Sequence, residues 1–250
     1  DKIYLSRFIF NKLDNGKIIN TFSIPQFRLD GLSWDDLVFK RQLKANAATL
    51  YQPSINYTAS VKKTTKKGRK NIFAVLGDIG QLIQLDKMNI VNGQVDLALN
   101  KNSSVRLEDA SIIIQTQSLL TAKKASALEH AVEYLDFKTG TIKTNNLDLK
   151  LHDVRYTGDK NGYLLAKRVK LNDKLSRTII MAENAAVDEI LIDEETGDLT
   201  ATGIRWDKAD VKVVLPEKGQ MENTGKAAIE LKNIKGRNTT ATIKTGNTTI

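Results

Sequence analysis

The chain has 250 residues, of which 41% are hydrophobic and 27% charged, with a net charge of +9 at pH 7. That is enough apolar material to bury a core and too much for a disordered chain. The absence of cysteine excludes disulfide frameworks and thiolate metal sites. No run approaches the ~18 consecutive apolar residues of a transmembrane helix.

Aromatic residues make up only 6%. The apolar content is therefore aliphatic, and together with frequent Thr it favours pleated strands. The positive excess lies wholly in residues 1–125, which carry 19 Lys+Arg against 10 Asp+Glu.

In chain order, DKIYLSRFIF at the N-terminus lacks the apolar core and cleavage site of a signal peptide. The other terminus, NTTATIKTGNTTI, stops inside an alternating pattern. The expectation is a segment of a longer chain, with any anchor lying outside it. Ser33–Val38, with Trp34, Leu37 and Val38, reads as a short helical turn. A basic run follows at Lys62, Lys63, Lys66, Lys67, Arg69 and Lys70. Behind it, Asn71–Leu85 has apolar residues at helical spacing and Asn71 as N-cap. Gly77 and Gly80 each weaken that helix by ~1 kcal/mol relative to Ala.

From about residue 85 the period becomes two. Val95–Leu99, Ile112–Thr116, Leu147–Leu151 and Val211–Leu215 alternate apolar with polar side chains, the pattern of a sheet with one apolar face. Asn92-Gly93, Asn100–Asn102, Thr139-Gly140, Gly158–Gly162 and Glu195–Asp198 read as hairpin turns, because Asn, Asp and Gly accept positive φ. Ser126–Leu135, with Leu128, Ala131, Val132 and Leu135, returns to helical spacing. The expected fold is mainly β: an extended antiparallel, curved, groove-like sheet with one to three short helices. It forms one elongated domain, with an N-terminal part to residue 84 and a β meander over 85–250.

The chemistry-bearing residues are sparse. His130 lies beside Glu129 and Glu133, but a third metal ligand at strand or helix spacing is missing, and His152 stands in another strand. Asp35-Asp36, Glu108-Asp109, Asp188-Glu189 and Asp193–Glu195 are adjacent carboxylates; on a strand these point to opposite faces, whereas acid–base chemistry needs two facing across a cleft. Gly77-Asp78-Ile79-Gly80 lacks the Lys-Ser/Thr end of a phosphate loop. No enzyme, cofactor or metal is expected. The basic run suits a solvated loop first and an anionic membrane surface second, at ~1 kcal/mol per cation. Without interleaved aromatics, nucleic acid is disfavoured.

Residues 43–120 resemble the AsmA-like and TamB-like bacterial envelope proteins. The likeness rests on Ala45–Ile55 with its apolar-x-Pro-x-Ile end, on Asn71–Leu85, and on Leu85–Leu97 followed by a strand pair at Val105–Leu107 and Ile112–Ile114. It implies a taco-like β groove that shelters phospholipid acyl chains in the periplasm or cell envelope of a Gram-negative-type bacterium. It implies a role in phospholipid transport or outer-membrane biogenesis. The candidate lining is Met88, Ile90, Val95, Leu97, Leu99, Ile112 and Ile114. The competing reading is a secreted or surface β module for adhesion to protein or glycan.

Overall fold

In a computed structural model of the chain, the residues described are 2–14, 17–58, 84–100, 103–116, 131–157, 163–192, 199–215, 229–245 and 248–249. The chain is mainly β. It folds as two compact units, Asp1–Lys138 with Thr157–Asp159, and Thr139–Tyr156 with Lys160–Ile250.

The first unit is built on β1 (Lys2–Asp14), β2 (Lys17–Asp30), β3 (Lys44–Tyr51), β4 (Ser54–Thr58), β5 (Gln84–Asn100) and β6 (Ser103–Gln115). β1 and β2 form an antiparallel hairpin. β3 and β4 act as one long strand interrupted at Gln52-Pro53: both lie antiparallel to β2 and parallel to β5. Parallel pairing needs a long crossover, and residues 59–83 supply the length. The sheet is thus mixed and not the antiparallel meander expected. β7 (Val132–Lys143) contributes its first half to this unit.

Between β2 and β3 stands the one helix among the described residues, α1 (Trp34–Lys40). Its ends are well specified. Ser33 Oγ accepts from the Asp36 N–H at 3.3 Å, as an N-cap does. Lys40 pairs with Asp36 one turn away, and Arg41 ends the helix in the left-handed region. This is the turn expected at Ser33–Val38.

A line of backbone irregularities crosses the first unit. Arg7, Gln52, Asn92 and Asp109 all have φ between 50° and 58°, a conformation L-residues seldom adopt. They are aligned. Arg7 sits between the pairs Ser6↔Gln26 and Phe8↔Ile24. Gln52 and Asn92 follow the partners Tyr51 and Val91, and Asp109 precedes Ala110, the partner of Gly93. At Asn92 and Asp109 the β5–β6 register shifts by one residue and back, as at β-bulges, whereas the registers of β1–β2 and of β3 and β4 with β5 run unchanged across Arg7 and Gln52; each left-handed residue slips the side-chain alternation of its strand by one. The slip is visible as odd spacing between buried residues: Ile24 to Phe27 in β2 and Ile90 to Val95 in β5. The apolar side chains consequently stay buried on both sides of the crease.

The second unit has its own crease. Its main strands are β8 (Leu147–Thr157), β9 (Leu164–Asp173), β10 (Thr178–Val187), β14 (Lys208–Leu215) and β17 (Thr239–Thr245). Asp153 in β8 and Asn184 in β10 have φ of 50° and 51°, and both flank Lys167 of the strand between them. A small sheet of β11 (Glu189–Ile192), β12 (Leu199–Thr202) and β15 (Ile229–Lys232) contributes Ile190, Ala201 and Leu231 to the cluster of Leu147, Leu149 and Leu171. Sheet on sheet closes that core. Where β13 (Arg205–Trp206) pairs with β16 (Lys235–Gly236), the Trp206 indole lies directly over Gly236, in the space a Cβ would need.

Four further readings change. Asn92-Gly93 and Thr139-Gly140 lie inside β5 and β7 and are not hairpin turns. Ala131 is in a turn and Val132–Leu135 is strand, so that end of the second expected helix is not helical. Val105–Leu107 and Ile112–Ile114 belong to one bent strand, β6, and not to a pair. Of Asn71–Leu85, Leu85 lies in β5. Residues 71–83, 101–102, 126–130, 158–162 and 195–198 lie outside the described residues.

Candidate functional site

The candidate lining residues come together as cross-strand pairs. Met88 faces Ile114 and Ile90 faces Ile112, in a cluster with Phe27, Leu29, Leu50 and Leu85. Val95 and Leu97 join Phe22 and Ile55 across the crease. Leu99 is a β5 residue whose side chain lies outside the described residues. The other six are at most 8% exposed. They are packed in two clusters, Met88, Ile90, Ile112 and Ile114 in one and Val95 and Leu97 in the other. Ile3, Leu37 of α1, Leu43, Val132 and Leu135 pack against the first cluster, and Val105 and Leu107 against the second.

The opposite face of β2 and β3 is polar. Arg28 Nε donates to Asp30 Oδ2 at 2.8 Å, and the guanidinium lies 5.8 Å from the centre of the Tyr51 ring. The hydrogen bond to the Asp30 carboxylate holds Arg28 more firmly protonated than usual. Buried Thr49 Oγ1 accepts from both Arg28 and Asn89 at 3.5 Å, while Asn89 Oδ1 is buried without a partner.

The crease opens a polar notch of about 360 Å³ between Gln52, Pro53, Ser54, Asn92, Gly93, Gln94, Glu108 and Asp109. Gly93 fits tightly there: a Cβ would lie 3.0 Å from Ile90 Cγ2 and 3.1 Å from Pro53 Cγ, so these neighbours would have to shift by a few tenths of an ångström. Asn92 N–H donates to Ser111 Oγ at 3.3 Å, and Arg106 bridges Glu108 and Asp96. The lining holds amides, hydroxyls and carboxylates but no histidine, lysine or cysteine.

The remaining candidates do not gather at a site. The six basic residues of the 62–70 run and His130 lie outside the described residues. His152 is a β8 residue opposite Arg168. Among the described residues, no three His, Cys, Asp or Glu side chains are placed to hold a metal, and no helix is long and apolar enough to cross a membrane.

Two exposed apolar surfaces escaped the sequence reading. Trp34, Val38 and Phe39 project from α1, and Tyr4, Leu5, Phe8 and Ile9 from β1. The β1 signal was present as adjacent apolar pairs, Tyr4-Leu5 and Phe8-Ile9. On a strand such pairs make both faces apolar.

No family model, no curated protein and no solved structure matches the chain.

Proposed function

We propose that this chain is a non-catalytic β scaffold of the bacterial cell envelope that takes part in phospholipid transport or outer-membrane biogenesis, holding acyl chains along the apolar strip of β5 and β6. The observation that carries the reading is the length of that strip. From Leu85 to Leu97 it runs along one strand for up to about 40 Å, at ~3.3 Å per residue. Half of a bilayer's hydrocarbon core is only about 15 Å, so an acyl chain fits within it. The creases support the reading by keeping the strip apolar through a bend that would otherwise turn alternate residues outward. The likeness to AsmA-like and TamB-like proteins in residues 43–120 supports the periplasmic setting. Leu37 and Leu43 pack against this strip, and an acyl chain would enter by displacing them.

The test is mass spectrometry of lipids extracted from chain purified gently from bacterial envelopes. Stoichiometric phospholipid, reduced when Leu37 is replaced by a bulkier Trp, is the expected result. A lipid-free preparation that also takes up no phospholipid from vesicles refutes the proposal.

A further inference from the structure

In the second unit, Leu147, Leu149, Leu151, Val169, Leu171 and Ile180 face one core cluster. Alternation puts their neighbours on the other side of β8, β9 and β10, and the registers set those neighbours in cross-strand rows. One row is Lys150, Lys170, Met181 and Asp210, and the next is His152, Arg168, Glu183 and Lys208. Past the crease at Asp153 and Asn184, Val154, Ala166 and Ala185 are the buried residues. The outer row there is Arg155, Leu165, Ala186 and Arg205. The three rows hold six lysines and arginines against two carboxylates.

Both carboxylates are already paired, Glu183 with Lys208 and Asp210 with Lys212. Arg205 pairs with Asp188, and Asp148, one row further out, with Lys174. Lys150, Arg155, Arg168 and Lys170 are exposed, and among the described residues none of them is in an ion pair. Exposed Asp153 is one nearby carboxylate against these four cations. Lys150 stands directly opposite Lys170. Directly opposed like charges weaken a sheet, and the chain's own carboxylates do not offset this pair. An external anion bridging the two ammonium groups turns the repulsion into two attractions.

The apolar side chains of the same face say which anion. Leu165 is 40% exposed and Met181 37%. Tyr163, two residues before Leu165, is also exposed, with the Arg205 guanidinium 5.9 Å from its ring centre. A nucleic-acid backbone gives phosphates to the cations but nothing to Leu165 and Met181, and Arg205 already covers the Tyr163 ring on which a base would stack. An anionic bilayer serves both kinds of group. Its headgroup phosphates meet the cations, apolar side chains enter the acyl boundary, and a tyrosine suits the level between. We propose that the outer face of β8, β9 and β10 docks on an anionic phospholipid bilayer, with Lys150, Arg155, Arg168 and Lys170 on headgroup phosphates and Leu165 and Met181 in the headgroup region. This surface is separate from the β5–β6 strip and does not depend on it.

The test is co-sedimentation with vesicles of phosphatidylcholine, alone or mixed equally with phosphatidylglycerol. The chain carries glutamine in place of the 62–70 cations, so that the basic run adds nothing. Binding to the anionic vesicles alone, weakening as salt rises, is expected. Lys150→Gln with Lys170→Gln should weaken it about thirtyfold, at about fivefold per cation near a charged surface. That variant should melt no lower than its parent, because the opposed pair is gone. Leu165→Ser with Met181→Ser should weaken binding severalfold at unchanged salt dependence. Equal binding of neutral vesicles, undiminished binding by either double variant, or tighter binding of a DNA duplex than of the anionic vesicles overturns the proposal. Lipid retained by the chain after the vesicles are removed reads the β5–β6 strip separately. Failed docking with lipid retained, and docking without retained lipid, therefore tell the two proposals apart.

Discussion

Replacing Asn92 by Val tests whether the crease is a specified feature of the fold. Asn92 holds φ at 51° inside β5, where an L-residue costs ~1–2 kcal/mol relative to the ordinary regions. Asn tolerates the position because its short polar side chain bonds locally, here near Ser111 Oγ at 3.5 Å. Val has no such bond, and its branched Cβ adds crowding, so its cost should approach about 2 kcal/mol. A parallel variant, Asn92→Gly, removes the steric cost, loses the side-chain bond and adds unfolded-state entropy, for a net change near zero. Asn92 is exposed, so neither substitution alters the core. The two variants should differ by about 2 kcal/mol, or about 4–8 °C in Tm for a chain of this size. The tryptophans divide usefully: Trp34 is in the first unit and Trp206 in the second. Urea unfolding followed by Trp34 in a Trp206→Phe background reads the first unit alone. Equal stability of the Val and Gly variants would refute the reasoning, because it would mean that the left-handed residue at 92 is not required.

Further consequences can be checked by the same unfolding measurements or by NMR. Ile114→Ala, at a fully buried position of the main cluster, should cost about 2–5 kcal/mol, whereas Ile9→Ala on the exposed edge should stay within about 0.5 kcal/mol. Gly236→Ala should push Trp206 off its strand neighbour; the 2.9 Å bond from Trp206 Nε1 to Thr239 should break, seen as loss of the shifted indole N–H resonance and a destabilisation of about 1–3 kcal/mol. The Glu133 carboxylate is held below its ordinary range, first by Lys87 and then by Gln115. Its folded pKa is depressed, so its contribution to stability is present above the ordinary Glu value and is lost as pH falls through the folded one. Carbon-detected titration should show Lys87→Met moving the Glu133 midpoint upward, and an unmoved midpoint would remove Lys87 as the cause.

Much of the local structure was legible in the residues. The alternating runs at Val95–Leu99, Leu147–Leu151 and Val211–Leu215 fall on β5, β8 and β14, that at Ile112–Thr116 falls on β6 up to Gln115, and the short turn at Ser33–Val38 falls on α1. The misreadings share causes. Asn92-Gly93 resembles a hairpin turn because a turn and a bulge demand the same positive φ, and the side chains that permit one permit the other. The spacing of Ala131, Val132 and Leu135 fits a helix, but Gln115 N–H bonds to the Ala131 carbonyl and Val132 opens a strand; pairing overrides a short helical pattern. Six of the candidate lining residues are buried in the apolar face of β5 and β6, and the side chain of Leu99 lies outside the described residues. Whether that face was open could not be read, because alternation reports only that a side chain avoids water and not what covers it.

Residue order was enough to read the chain as mainly β, with alternating strands at β5, β6, β8 and β14 and a short helical turn at Ser33–Val38. These properties follow from period, capping chemistry and residue type within a few positions of each other. Long-range packing was needed to establish that β3 and β4 run parallel to β5, that the left-handed residues of the first unit lie side by side, that Leu37 and Leu43 pack against the main cluster, and that β1 pairs with β2 alone among the described residues. All four depend on contacts between residues far apart in the chain. Strand pairing is settled by which distant backbone groups find partners, and no local pattern encodes that choice.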